Sequence, residues 1–368
     1  MMIRHVAPVL AGAVVLSALV GCAVAAPSPT PAPTVSTTPV PTPSATVEPG
    51  ARPISSFELD CDQLLSPAAV EQIAGAEALP REPDLVPGFL LERASVIQDG
   101  GLICEWATPD APLHAPNIQI AALAGTDRDL DRIRPMLEAA PHNYQVAIEG
   151  SSTYLVGCRE DFSTPGIADC IWMAERDGVW MEAYIPGVAT PEGALSGTTV
   201  STAVRTAFDV LVASAATTPT RIPPRSCSEI LPEDRRDTPI GELSVEQIDR
   251  RLDTEQGITA APWMTIGLWL LAQERLGWTT CDVNLNAENR PGYPDLARIT
   301  DARGLAWIYG ESERTPLGAL PETVTSCGVG EGGGYCYISV LRGDDVILYR
   351  SDDPQTGIAE GILSGLSD

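Results

Sequence analysis

The chain has 368 residues, and its 49 acidic against 23 basic side chains give a formal charge of −26, which excludes nucleic acid as a partner. Every basic residue is arginine, which removes Schiff-base lysines, P-loops and Ser-Lys nucleophile pairs from consideration. The nine cysteines divide into Cys22 and two quartets, Cys61, Cys104, Cys158, Cys170 and Cys227, Cys281, Cys327, Cys336, spaced in the same long, long, short order.

At the N-terminus, Arg4 and an apolar stretch from Val9 to Val20 lead into Leu19-Val20-Gly21-Cys22, the pattern of a bacterial lipobox. Residues 1–21 are expected to be a lipoprotein signal peptide. Cys22 would then carry a diacylglycerol that holds the protein to the extracytoplasmic face of the cell membrane. The apolar stretch is too short to span a membrane, for which about 20 residues are needed. Residues 22–55 are rich in proline and threonine from Pro27 to Pro49, a composition that cannot bury a core and suits an extended, disordered tether.

The remainder is expected to form two tandem α+β modules, residues 56–216 and 226–368, with a linker at 217–225. Cys61-Asp62-Gln63-Leu64-Leu65 returns as Cys227-Ser228-Glu229-Ile230-Leu231, and Leu65-Ser66 with Val70-Glu71-Gln72-Ile73 is echoed by Leu243-Ser244-Val245-Glu246-Gln247-Ile248. Both echoes read as helix starts, Ser66 capping a helix that opens on Pro67 and Ser244 forming a capping box with Gln247. Short strands are expected from Leu102 to Trp106, Asn117 to Ala122, Tyr144 to Ile148, Thr153 to Val156, Ile171 to Glu175 and Val179 to Tyr184. From Thr199 to Ala213 the apolar residues recur with a helical period. Cys170 to Arg176 and Cys336 to Arg342 each read as a strand entering a Gly/Asp hairpin turn. Each module is therefore expected to be a mainly antiparallel sheet with helices packed on one face and two disulfides.

Four cysteines admit three pairings. Cys158 and Cys170, like Cys327 and Cys336, bracket short loops between strands, which favours a bond across each hairpin. Cys61 is then left with Cys104, and Cys227 with Cys281. Metal ligation is the alternative, and no Cys-x-x-Cys pair supports it.

The lipobox, the tether, Cys-x-x-Leu-Leu before a capped helix and Gly100-Gly101-Leu102-Ile103-Cys104-Glu105-Trp106 together carry a resemblance. On them the chain resembles actinobacterial cell-envelope lipoproteins of unknown function, which are similar to the extracytoplasmic sensor domains of mycobacterial receptor kinases. The resemblance covers most of the first module and more loosely the second, where Cys281-Asp282-Val283 replaces the Cys-x-Trp element. It implies a small α+β domain with two disulfides and a surface groove, and it supplies no catalytic residues.

No enzyme, cofactor or metal site is expected. His114 and His142 stand beside prolines and loop residues, and no Gly-x-Ser-x-Gly elbow occurs. Asp127, Asp129, Asp131 and Glu138 match a calcium-loop spacing, but Arg132 occupies the glycine position, so the segment reads as a capped helix start. The glycine run Gly328 to Gly334 reads as a hairpin tip rather than a phosphate loop. From Pro262 to Leu271 the chain is strongly apolar and expected to pack in the core, against the alternative that Trp263, Trp269 and Trp278 line a groove for an apolar ligand. These readings converge on a non-enzymatic interaction or sensor-like module that meets an envelope protein or wall polymer. The alternative is a carrier for a lipid or small apolar envelope ligand.

Overall fold

The structure is a computed structural model and describes residues 52–75, 77–83, 85, 90–111, 117–139, 145–149, 152–160, 167–189, 199–216, 221–238, 241–242, 244–252, 266–284, 296–309, 323–330, 333–351 and 363. All of these lie in one compact unit. The first sheet contains β1 (Leu79–Arg81), β2 (Leu102–Ala107), β3 (Ile118–Ala124), β4 (Gln145–Glu149), β5 (Ser152–Glu160), β6 (Ile167–Arg176) and β7 (Val179–Ala189), in the order β1-β2-β3-β7-β6-β5-β4. A two-residue ladder of β8 (Asp237–Thr238) and β9 (Gly241–Glu242) follows. The second sheet comprises β10 (Ser244–Ile248), β11 (Thr279–Asn284), β12 (Leu296–Ala302), β13 (Thr323–Gly330), β14 (Gly333–Arg342) and β15 (Asp345–Ser351), ordered β10-β11-β12-β15-β14-β13. Every pairing in both is antiparallel, so the chain is an α+β protein of two tandem modules.

Strand alternation sorts the first module's side chains. Cys104, Trp106, Ile118, Ile120, Trp172 and Met181 face one side and meet α1 (Cys61–Leu64), α2 (Pro67–Ala74) and α5 (Thr199–Ser214), whose Val204, Ala207, Phe208 and Leu211 are buried against them. Ile103, Ala121, Leu123, Ile171, Met173 and Trp180 face the other side. A sheet apolar on both faces must be covered on both. The second cover comes from α3 (Leu90–Gln98) of the first module and, from the second module, α7 (Ile266–Leu276), which follows α4 (Asp129–Ala139) and α6 (Cys227–Ile230) in the chain. One helix face thus packs as expected, and the opposite face is buried as well, by a helix borrowed from the neighbouring repeat.

The loan runs in both directions. Ala94 and Leu91 of α3 pack with Trp278, Ala302, Leu305, Leu341, Val346 and Leu348 of the second module. Gly267 of α7 lies so close to the first sheet that a β-carbon there would stand 2.4 Å from the Trp180 ring and 2.8 Å from Glu182 Oε1. The linker is drawn into the same layer: Ile222 N donates to Arg275 O at 2.7 Å, and Arg225 O accepts from Thr279 Oγ1 at 2.6 Å.

The Ser66-Pro67 start is as read, with Ser66 Oγ accepting from Ala69 N at 3.2 Å and Pro67 in the first turn. Ser66→Ala is expected to cost about 1 kcal/mol in urea denaturation, and Ser66→Thr to restore most of it. The Ser244 reading is corrected. Ser244–Ile248 is strand β10, in register with β11 from Ser244 opposite Asn284 to Ile248 opposite Thr280. Pairing this segment covers the outer edge of β11 and packs Val245 on the core, gains that outweigh a cap worth about 1 kcal/mol. The capping boxes sit earlier. Ser226 N donates to Glu229 Oε2 at 2.6 Å while Glu229 N donates to Ser226 Oγ at 3.3 Å, and Asp60 N donates to Gln63 Oε1 at 2.7 Å.

Both capped helices are tied to a strand. Cys61 is bonded to Cys104 and Cys227 to Cys281, joining α1 to β2 and α6 to β11 at equivalent places in the two modules. Cys170 is also disulfide-bonded and stands opposite Cys158 in the β5–β6 register, as Cys327 stands opposite Cys336 in β13–β14. Between β6 and β7 the turn residues Asp177 and Gly178 have φ of 51° and 75°, the left-handed conformations that a two-residue hairpin requires.

Candidate functional site

The inner face of the second sheet carries polar side chains where the first sheet carries apolar ones. Antiparallel register places Asp282, Arg298, Arg350 and Tyr337 side by side across β11, β12, β15 and β14. The next row on that face is Thr280, Thr300, Leu348 and Ser339. Arg298 Nε donates to Asp282 Oδ1 at 2.9 Å, and the Arg350 guanidinium lies 5.8 Å from the centre of the Tyr337 ring.

Above this row is a cavity of about 80 Å³, closed by Leu91 and Glu92 from α3 and by Arg250 from the stretch after β10. Arg250 lines the cavity, and its two neighbours bond each other. Asp249 accepts three bonds from Arg251, at 3.2 Å from the backbone and 2.9 and 2.8 Å from the side chain, and these hold its carboxyl below the usual range. Arg250 lies over Trp269, 6.0 Å from the ring centre, and burial brings its guanidinium down to about 10. Glu92 Oε2 is withdrawn from water with no hydrogen-bond partner, and burial pushes the carboxyl up to about 7 against the nearby charges of Arg250, Arg93 and Arg350. Arg250 also lines a more open groove of about 790 Å³, whose apolar wall is Ile222, Pro223, Pro224, Ile248 and Trp278.

No known protein family matches the chain, and no curated protein matches it. Among solved structures the chain is similar to DynU16, a putative protein in the dynemicin biosynthetic locus, at 9% identity and a TM-score of 0.11, over 79% of this chain and 94% of that one. It is similar also to an acyl-CoA thioesterase II, TesB2, from Mycobacterium marinum, at 10% identity and a TM-score of 0.11, over 64% of this chain and 93% of that one. At this level neither likeness bears on fold or chemistry.

The structure places the sequence-derived candidates as follows. Trp269 is buried in the core shared by α3, α7 and the first sheet, while Trp278 is buried against the second sheet with its indole N–H donating to Arg303 O at 3.0 Å. Trp278 also reaches the wall of the groove, and Trp263 lies outside the described residues. Cys22, His114 and His142 lie outside them too.

The acidic run around α4 is engaged with arginines. Asp131 binds Arg128 at 2.9 Å and also Arg134, and Asp129 binds Arg132 at 3.0 Å. Glu175 of β6 caps this helix, accepting from Asp129 N and Leu130 N, both at 3.1 Å. Gly328 and Gly330 lie in β13 and Gly333 and Gly334 in β14, with Gly330 opposite Gly333.

Sequence reasoning missed the cavity's polar lining. Its signal is present in the alternation of buried Ala297 and Ile299 with Arg298 and Thr300, a pattern that otherwise marks a solvent-facing side. It is α3 that turns this side inward, and no local pattern announces that docking.

Proposed function

We propose that the protein is a lipid-anchored, extracytoplasmic recognition module of the cell envelope, held to the membrane through Cys22 and working by binding rather than by turnover. What supports this reading is the cavity between the modules, where Arg250 and Glu92 face one space without a bonded partner for the guanidinium or for Glu92 Oε2. Buried ionisable groups raise a fold's free energy, and they persist most readily where a ligand completes them. No helix among the described residues is long and apolar enough to cross a membrane, and the disulfides fit an oxidising compartment. Anchoring therefore rests on the lipobox alone.

Native mass spectrometry of the chain, purified from a host that exports and acylates it, tests the reading. The expected result is a discrete small mass that is lost on Arg250→Ala, together with palmitate labelling that is lost on Cys22→Ala. The carrier reading draws its support from the apolar wall of the groove. A retained lipid insensitive to Arg250→Ala would favour it. A bare chain that captures no envelope partner on crosslinking in living cells would overturn both.

A further inference from the structure

The second sheet gathers positive charge at one place beneath α3. Arg298 and Arg350 stand directly opposite each other on β12 and β15, and like charges in that relation repel. Asp282 answers Arg298 from one end of the row. Arg250 closes the same cavity from above, and its ring contact with Trp269 is its one direct contact of a polar or aromatic kind among the described residues. Glu92 and Asp282 act on this half-buried guanidinium only through space, and neither is bonded to it, so an apolar side chain would serve stability as well at that place.

We infer that this cavity binds one small oxyanion, a carboxylate or a sulfate or phosphate group, held by Arg250 against Arg298 and Arg350. The inference rests on the recognition reading above and names the class of ligand. Guanidinium groups present paired N–H donors in a plane that matches such an anion, and Tyr337 and Thr300 line the same space. A volume of about 80 Å³ admits a small group and not a polymer, and a chain charge of −26 repels polyanions.

Glu92 is faced by Arg250, by Arg298 and Thr300 of β12, by Tyr337 of β14 and by Arg350 of β15, with Arg93 beside it on α3. With its carboxyl raised to about 7 by burial, Glu92 meets the anion as a neutral donor below that pH and as a repelling charge above it. Binding therefore tightens as pH falls through 7.

Titration calorimetry on the full chain in a buffer free of other oxyanions, with sulfate and acetate as separate probes, is the test. Both probes keep their charge between pH 6 and 8. At least one is expected to bind, at least tenfold more weakly to Arg250→Ala and unchanged to Arg128→Ala, which removes a charge from a side chain that is 82% exposed. Preference for sulfate identifies a sulfate or phosphate ligand, and preference for acetate a carboxylate. Glu92→Gln should keep the affinity and abolish its change with pH.

A dissociation constant above about 10 mM for both probes, or equal binding by a folded Arg250→Ala, overturns the inference. If Arg250→Ala does not fold, a pH dependence unaltered in Glu92→Gln overturns it instead. If neither probe binds while a discrete small mass still accompanies the chain from its host, the oxyanion assignment fails and the recognition reading stands. If that mass is missing as well, both fail.

Discussion

Arg275→Ala is expected to lower the unfolding free energy by about 3–5 kcal/mol, because it leaves a buried carboxylate without its partner. Arg275 sits in the last turn of α7, and Asp99 follows the last residue of α3. Their side chains meet at 3.0 Å with each only 2% exposed, so the pair joins the two modules across the shared helical layer. Burial pushes the Asp99 carboxyl up and the Arg275 guanidinium down, each against the pull of the other's charge. The guanidinium also donates to Ala124 O at 2.8 Å, reaching β3 of the first sheet. The variant strands Asp99 and that carbonyl together. Without the Arg275 charge that lowers it, Asp99 escapes part of the cost by taking a proton as pH falls, so the loss measured in urea should be larger at pH 8 than at pH 6. Combining Arg275→Met with Asp99→Asn should cost less than the sum of the two single changes, since the double variant buries no lone charge.

Glu182 leads to the second large effect, which is a matter of pH. This fully buried carboxyl of β7 accepts the amides at the start of α7, with Leu268 N at 3.0 Å, so a side chain of one module caps a helix of the other. Burial pushes it up to about 8 from an ordinary 4.5, against the lowering by the backbone donors of Leu268 and Gly267. Between those values the folded chain keeps a proton that the unfolded chain releases. The stability due to that proton is complete below pH 4.5, shrinks as pH rises and is gone above pH 8. The slope approaches about 1.4 kcal/mol per pH unit for one such group, and Glu92 and Asp99, both raised to about 7, act in the same direction. Glu182→Gln should match the parent at pH 4, already exceed it at pH 6 and exceed it most at pH 9. Glu182→Ala removes the cap and orphans buried N–H donors, a loss of about 2–4 kcal/mol at pH 6. Unfolding free energies of the three proteins at pH 4, 6 and 9 decide the matter, and parallel curves for parent and Gln would refute it.

Features carried by a few neighbouring residues were legible in the sequence. Ser66-Pro67 announces its helix, Thr199 to Ala213 differs by one residue from the helix Thr199–Ser214, and Asp177-Gly178 turns the hairpin it was expected to turn. The strand readings of the first module fall on β2 to β7, because alternation of apolar and small residues survives in each. Ser244 misled because a capping pattern and an edge strand can share five residues, and the partner strand that decides between them begins at Thr279. Ile266–Leu276 buries apolar side chains on every side from Leu268 to Ala272 because it packs between the modules, so it lacks the one-sided stripe that marks a surface helix. The cavity was the least legible feature, since Glu92 and Arg250 lie far apart in sequence and meet only after α3 docks on the second sheet.

The exchange of α3 and α7 also sets a timetable for the growing chain. Leu123, Ile171, Met173 and Trp180 are synthesised long before Leu268, Trp269 and Leu271 exist to cover them. The Cys61–Cys104 bond can form early, because both cysteines precede those residues. Even so, a nascent first repeat remains adhesive on the part of that side that α7 will cover until residue 276 has emerged. A fragment ending anywhere in 217–225 is arrested at that stage for good. It should collect in aggregates with its first disulfide already closed, although the place where it stops looks like a natural border between repeats.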